Sequence, residues 1–478
     1  MSGVRVRGLG LRHDGKRVLS DISFDIRGGE SLCLVGASGG GKSLIAAALA
    51  GLLPSCMLAS GRVHLGGEQR LIADQAGLRG LWHRHICLLP QEPGRVLAPL
   101  LRADDQVGLD RPSLSRAAAV AHLAGFGLDR QAAHSLPSAL SGGMAQRLLA
   151  AIMARSTAGL LVVDEPTKGL DPARRADIVA MLVALRGAGR ALLVITHDLE
   201  LVRGLGGALA VLEECGIAEA GPSEALLAAP ASPFLRTCLD AEPARWTIGR
   251  GRGFGAAVAG AERLVIARGR RRLAGPLGLE LRQGQVTALL GASGVGKTTL
   301  GDTLLGLEPA AEGHVRWLGV ALDRKALQRF RPRFQKLHQD PTTVFPASRT
   351  FGEGFTDLGR LAGGREMAAR VTALLERLRV SPDLLARRPG EVSGGEAQRL
   401  ALARLLAVQP AFLVADEPAS RLDMPAQAET FQLLRGIAND SGLAVLLITH
   451  DAAAAAAIAD ERLDLEALSP VKSREMAG

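Results

Sequence analysis

Apolar residues fall along this chain in two alternating patterns. Short runs that are apolar throughout, such as 31–35, 160–163, 191–195 and 286–290, alternate with longer Ala- and Leu-rich helical stretches. A strand apolar on both faces leaves neither side for water, so these runs predict an α/β fold. The expected core is a parallel sheet covered by helices, with helical insertions. Two further runs bear on membranes. Residues 44–59 are broken by Gly51, Pro54 and Ser55, and 442–459 contain His450 and Asp451. A spanning helix needs about 20 mostly apolar residues, and neither run qualifies.

Composition narrows the classes. Of 478 residues, 47% are hydrophobic and 22% charged, which supports a core and argues against disorder. Aromatics make up 3%, with no Tyr, which argues against base-stacking platforms for nucleic acid. The net charge of +9 fits a surface that meets anionic lipid, acidic loops or nucleic acid, and does not choose among them. The five cysteines (Cys33, Cys56, Cys87, Cys215, Cys238) form no CxxC pair. They predict neither a disulfide framework nor a cysteine-based metal site, and point to the cytoplasm. The opening Met1-Ser2-Gly3-Val4-Arg5 turns polar at once, so no signal core is expected there.

The chain also repeats itself. Gly36-Ala-Ser38-Gly39-Gly40-Gly41-Lys42-Ser43 returns as Gly291-Ala-Ser293-Gly294-Val295-Gly296-Lys297-Thr298, followed by Thr299. Ser141-Gly142-Gly143 returns as Ser393-Gly394-Gly395, Asp164-Glu165 as Asp416-Glu417, and Thr196-His197-Asp198 as Thr449-His450-Asp451. The order is kept and the offsets stay between 252 and 255 residues, which marks a duplicated domain rather than a solenoid. Stretches rich in Pro and Gly at 229–233 and 250–255 separate the copies. The expected organisation is a first domain over 1–240, a linker over 241–257 and a second domain over 258–478.

Both glycine-rich segments match G-x-x-x-x-G-K-[ST], for which this composition predicts about 0.01 chance matches. Backbone N–H groups must wrap phosphate oxygens, and side chains would obstruct them, so glycine is needed. The next helix presents its N-terminus to the anion, Lys42 or Lys297 neutralises the β/γ-phosphates, and Ser43 or Thr298 is set to ligate Mg²⁺. Asp164-Glu165 and Asp416-Glu417 each end an apolar run. There the first carboxylate can hold Mg²⁺ and the second can polarise an attacking water. Asp164 and Asp416 are therefore assigned to the metal, Glu165 and Glu417 as general bases. A lone Asp-Glu after a strand reads as a helix-capping turn. Its recurrence 24 residues after Ser-Gly-Gly in both copies argues otherwise. His197 and His450 are expected to reach the γ-phosphate and orient the water. Gln91 and Gln339 are expected to complete the Mg²⁺ and water shell, although turns favour the same composition.

Together these segments resemble the ATP-binding-cassette superfamily over nearly the whole chain. The glycine-rich loops resemble Walker A, the Asp-Glu pairs Walker B, Gln91 and Gln339 the Q-loop, and His197 and His450 the H-switch. Ser141-Gly142-Gly143 and Ser393-Gly394-Gly395 resemble the signature, and Gly169-Leu-Asp171 and Arg421-Leu-Asp423 the D-loop. The resemblance implies two tandem P-loop NTPase domains, each a mainly parallel sheet core with an antiparallel β part and a helical subdomain. It implies an ATPase whose domains pair head to tail on two ATP, each ATP between one copy's Walker loops and the other copy's signature. Where the family stacks adenine on an aromatic, this chain has His13 and Arg268, whose planes can still stack. Met144 stands in place of the signature's usual Gln.

A finer likeness narrows the group. Residues 91–99 and 339–346 resemble the Q-loop region of peptide- and nickel-importer ATPases, and 230–235 resemble the Pro-rich tail of that group. Gly41-Lys-Ser-Leu-Ile and Leu305-Gly-Leu-Glu-Pro look closest to the two nickel-importer ATPases, here joined. This implies a peripheral protein on the cytoplasmic face of the inner membrane. It would drive two membrane permease subunits served by a solute-binding protein, for nickel or metal-chelate or peptide-like cargo. The segments between Gln91 and Ser141, and between Gln339 and Ser393, would touch the permeases.

Two other functions compete. A tandem cassette acting on ribosomes or nucleic acid usually carries a long charged arm or zinc-binding cysteines, and neither is evident here, so no nucleic-acid partner is expected. A fused sugar or vitamin importer ATPase often has one degraded site, whereas both sets here are intact. His83-Arg-His85 is read as a solvated loop, and Arg268-Gly-Arg-Arg-Arg272 as a charged strand edge.

Overall fold

Each run that is apolar on both faces becomes a central strand. The computed structural model describes residues 3–468 apart from 38, 83, 91–95, 110–113, 168–169, 171, 247–248, 250, 252, 270, 293, 363 and 421. The chain divides into two units, Met1–Leu239 and Asp240–Gly478. In the first, the strands are β1 (Val4–His13), β2 (Lys16–Ile26), β3 (Ser31–Gly36), β4 (Met57–Leu65), β5 (Glu68–Leu71), β6 (Ile86–Leu89), β7 (Leu160–Asp164), β8 (Ala191–Ile195), β9 (Ala208–Glu213) and β10 (Gly216–Pro222). An antiparallel sheet has the order β2-β1-β4-β5. The core sheet has the order β10-β9-β3-β8-β7-β6 and is parallel except for the β9–β10 hairpin.

The second unit repeats this plan with β11 (Ala257–Arg268), β12 (Arg271–Arg282), β13 (Val286–Leu290), β14 (Glu312–Trp317), β15 (Val320–Ala321), β16 (Phe334–Leu337), β17 (Phe412–Asp416), β18 (Ala444–Ile448) and β19 (Glu461–Asp464). Its antiparallel sheet is β12-β11-β14-β15, and its core sheet, β16-β17-β18-β13-β19, is parallel throughout.

Successive side chains of a strand point to opposite faces, and both faces of the core sheet are covered. On β17, Leu413 and Ala415 join one core with Leu400 and Leu434. Phe412 and Val414 join another, with Trp317, under the antiparallel sheet. Each large apolar side chain so buried contributes about 1.5–3 kcal/mol. The scarce aromatics are concentrated where they fix a strand. Trp317 stacks on Phe334 with ring centres 3.9 Å apart, Phe334 meets Phe412 edge-on at 6.0 Å, and Trp317 Nε1 donates to the Leu304 carbonyl at 2.7 Å. This stack pins β16 to β17, and β16 ends two residues before Gln339.

The helical insertions differ between units. In the first, the helices Ala103–Val107, Arg116–Gly125 and Arg130–Ala133 gather around the Asp104 carboxylate, which is fully buried. Arg116 Nε lies 3.1 Å and His134 Nδ1 2.9 Å from it. In the second, the helix Phe351–Ala362 is anchored by rings, with Phe345 and Phe351 at 4.7 Å. Among the described residues no helix is long and apolar enough to cross a membrane.

Part of the stretch expected as a linker packs on the second unit's own residues. Trp246 lies 5.7 Å from Phe431 between ring centres, and Gly251 N–H donates to Asp460 Oδ1 at 3.0 Å. Asp460 Oδ2 accepts from Val286 N–H at 2.8 Å and pairs with Arg435, whose side chain is 1% exposed. That carboxylate holds the start of β13, the strand leading into the second glycine-rich loop. Asp460→Ala would leave a buried guanidinium uncompensated, so the expected loss is about 3–5 kcal/mol of stability, seen as a lower urea midpoint for the second unit.

Candidate active sites

A buried strand delivers each glycine-rich loop, β3 ending at Gly36 and β13 at Leu290. The helices Lys42–Leu49 and Lys297–Leu304 begin at the motif lysines. Just before them, Gly41 and Gly296 have φ of +89° and +109°. A Cβ on Gly41 would lie 2.9 Å from Leu19 Cδ2, so that side chain would have to shift, and the positive φ strains any residue but glycine. Lys42 Nζ donates to the Gly36 and Ala37 carbonyls at 2.7 and 2.8 Å. Lys297 Nζ donates to those of Gly291 and Ala292 at 2.7 and 2.9 Å. Each ammonium is thus folded over its own loop, beside a helix N-terminus, and this donor set fits a polyphosphate. Gly39, Gly40, Gly294, Val295 and Thr299 lie on the same loops and helix starts. Ser38 and Ser293 lie outside the described residues, as do Gln91, His83, Gly169, Asp171 and Arg421.

β7 and β17 end at Asp164 and Asp416, and the chain then turns through Glu165 and Glu417 at φ of +50° and +46°. A left-handed conformation costs a non-glycine residue about 1–2 kcal/mol. Strand pairing holds it here, with the N–H of Glu165 donating to Ile195 O at 2.8 Å and that of Glu417 to Ile448 O at 2.9 Å. The turn brings each glutamate to its histidine. His197 Nδ1 donates to Glu165 Oε1 at 2.9 Å and His450 Nδ1 to Glu417 Oε1 at 3.4 Å. Any contact of these rings with a phosphate therefore falls to Nε2.

The second unit gathers the rest of its set around this turn. Gln339 Nε2 lies 3.3 Å from both Glu417 Oε2 and Ser420 Oγ, and Thr298 Oγ1 donates to Asp416 Oδ1 at 3.3 Å. A hydroxyl and a carboxylate meeting beside a phosphate loop are the hard oxygen donors that suit Mg²⁺. Burial pushes the Asp416 carboxyl above its ordinary value, against the opposing pull of Lys336. Burial and Lys336 together lower the imidazole of His338. In the first unit, Ser43 is exposed on the second residue of its helix and Asp164 is buried at the end of β7.

The signature serines are helix caps. Ser141 Oγ accepts from Met144 N–H at 3.3 Å and starts the helix Gly142–Arg155. Ser393 starts Gly394–Ala407 with a full capping box, because Glu396 takes its N–H at 2.7 Å and its hydroxyl at 2.8 Å. Those bonds hold the Glu396 carboxyl below the usual range, the backbone N–H bond most of all. Met144 offers no carboxylate, so the two signatures differ in charge. His13 and Arg268 occupy matching positions at the ends of β1 and β11, both exposed.

Sequence reasoning missed three supports. Thr167 Oγ1 donates to Asp198 Oδ2 at 2.9 Å, and Asp198 also caps the helix Leu199–Leu205, fixing the segment that carries His197. Gln146 Nε2 reaches the Glu165 and Pro166 carbonyls at 3.4 Å, tying the helix Gly142–Arg155 to the Asp-Glu turn. Lys336 bridges Asp302 and Asp416 at 2.7 and 3.3 Å. The capping Asp before a helical stretch was a readable signal; the other two pairings are long-range. With the second loop disabled by Lys297→Ala, Gly41→Ala is expected to weaken binding of a fluorescent ATP analogue by about tenfold or more, the strain of a positive φ on alanine.

Two segments of the chain, 19–168 and 275–420, match the family model described as ABC transporter. The chain is 31% identical over 471 residues to the peptidoglycan transport ATP-binding protein YejF of Agrobacterium fabrum, covering 92% of this chain and 86% of that one. It is 29% identical over 496 residues to the glutathione import ATP-binding protein GsiA of Escherichia coli K12, covering 91% and 79%. Among solved structures, RNase-L Inhibitor is similar in fold, with a TM-score of 0.65 at 20% identity over 95% of this chain and 87% of that one. With both glycine-rich loops and both Asp-Glu turns inside the matched segments, the chain belongs to the ABC transporter family and carries two of its ATP-hydrolysing domains.

Proposed function

We propose that this chain is the energy-coupling ATPase of an importer for peptide-like substrates. The observation that carries the reading is similarity over more than nine-tenths of the chain to transport and import ATP-binding proteins. The names of those relatives favour peptide-like cargo over the nickel or metal-chelate cargo that the finer likeness also suggested. On this reading the two domains close head to tail on two ATP, at the cytoplasmic face of the inner membrane. Two permease subunits and a solute-binding protein complete the transporter. Three exposed apolar side chains in the segment after Gln91, those of Val96, Leu100 and Leu109, support a docking surface there.

The residues divide the chemistry as follows. Loop N–H groups, Lys42 and Lys297 grip the phosphates; Glu165 and Glu417 accept a proton from the attacking water; His197 and His450 hold those carboxylates in place. Ser43 with Asp164, and Thr298 with Asp416, would hold Mg²⁺, with Gln91 and Gln339 beside it. When bound, the metal would supply positive charge against the charge that develops on the phosphate oxygens. The signature N–H groups would supply the other half of the anion cradle.

The double variant Glu165→Gln and Glu417→Gln is expected to lower ATP turnover by about 10²–10⁴-fold while leaving ATP binding intact. Turnover within twofold of the parent would exclude these glutamates as bases. For import, the ATPase is reconstituted in proteoliposomes with two permease subunits and a solute-binding protein encoded beside it. Peptide-stimulated turnover with uptake is the expected result, and uptake indifferent to ATP would overturn the reading.

A further inference from the structure

The two units share a backbone plan and differ at one buried pair beside the metal-facing carboxylate. Lys336 on β16 lies opposite Val414 of β17, and Leu88 on β6 lies opposite Val162 of β7, so the two occupy the same register position. Asp302 and Ala47 are both five residues past the motif lysine on the following helix. Where the second unit has a lysine and an aspartate, the first has leucine and alanine.

The pair is placed to act on Asp416. Lys336 Nζ sits 2.7 Å from Asp302 Oδ1 and 3.3 Å from Asp416 Oδ2, while Asp416 Oδ1 accepts from Thr298 Oγ1 at 3.3 Å. The three charged side chains are only 12%, 20% and 11% exposed, so water screens them weakly. Asp302 tethers the ammonium beside Asp416. Asp302 also stands one helical turn, about 6 Å, beyond Thr298, so its charge offsets the lysine more at the tether than at the metal end.

We propose that the Asp302–Lys336 pair is a built-in competitor for Asp416 that makes the second unit hold its nucleotide-associated Mg²⁺ more weakly than the first. The inference rests on the reading that Thr298 and Asp416 face the metal. The two ATP sites would then differ in metal dependence, and at limiting Mg²⁺ the first unit would load before the second. Lys336 acts here as a positioning residue, since it works through Asp416 and not on the substrate.

The test uses Mn²⁺ as the probe, its free concentration read by electron paramagnetic resonance in the presence of saturating ATP. The second unit is isolated in the full chain with Lys42→Ala, and Glu417→Gln prevents turnover. Asp302→Ala with Lys336→Leu, which installs the first unit's residues, is expected to tighten Mn²⁺ about tenfold. Lys336→Arg, which keeps the charge, should stay near the parent value. The reciprocal change is made in the first unit with Lys297→Ala and Glu165→Gln. There Ala47→Asp with Leu88→Lys should weaken Mn²⁺ about tenfold. This second arm decides the matter if the first variant fails to fold. Affinities within twofold of the parent in either folded arm would overturn the proposal. Asp416→Asn serves as the separate control. If it leaves Mn²⁺ affinity unchanged, the metal-facing reading of Asp416 itself falls, and this inference with it.

Discussion

A triphosphate packs its charge into a space too tight for side chains, so the protein must meet it with backbone N–H groups. The rest of the architecture follows from that constraint. The loop has to be glycine-rich, it has to leave a strand that cannot move, and a helix must begin where it ends. β3 and β13 supply the fixed strands because both faces of their sheets are buried. Parallel pairing then brings the ends of neighbouring strands to one edge. Asp164 lies beside Ile195 and Asp416 beside Ile448, two residues before His197 and His450. The parallel sheet carries the carboxylates, the histidines and the loop to one edge, and an antiparallel core would send them to opposite edges.

Duplication has kept that backbone plan while letting the supporting side chains diverge. One helical insertion is organised around the buried Asp104 carboxylate and its cations, the other around a phenylalanine cluster. One signature serine is locked in a glutamate capping box and the other caps its helix beside a methionine. Thr167 bonds Asp198 in the first unit, whereas the matching position in the second is Ala419, with Ser420 serving Gln339 instead. The backbone of the glycine-rich loops and Asp-Glu turns is common to the two units, and the side-chain electrostatics around it are not.

Much of this was legible in the sequence because its physical cause is local. A strand buried on both faces must be apolar throughout, and a phosphate loop must be glycine-rich at fixed spacing. The turn at Glu165 and Glu417 was likewise marked by the Asp-Glu pair. The antiparallel sheets were not legible by pattern. β1 and β11 carry register shifts, at Val6/Leu9 and Ala261/Leu264 among others, that break the two-residue alternation. They were expected through family resemblance alone. Long-range pairings were hidden for another reason. Lys336 with Asp302, Trp246 with Phe431 and Asp460 with Val286 join residues whose partners only the fold selects.

The most direct test of the account is where a phosphate mimic touches the chain. ADP and orthovanadate are trapped at the first loop, with the second disabled by Lys297→Ala. Ultraviolet light then cleaves the backbone wherever vanadate is bound. The proposed head-to-tail closure predicts cleavage in the 36–43 loop and also at 393–395. Cleavage confined to the loop, or accompanied by 141–143 instead, would contradict it.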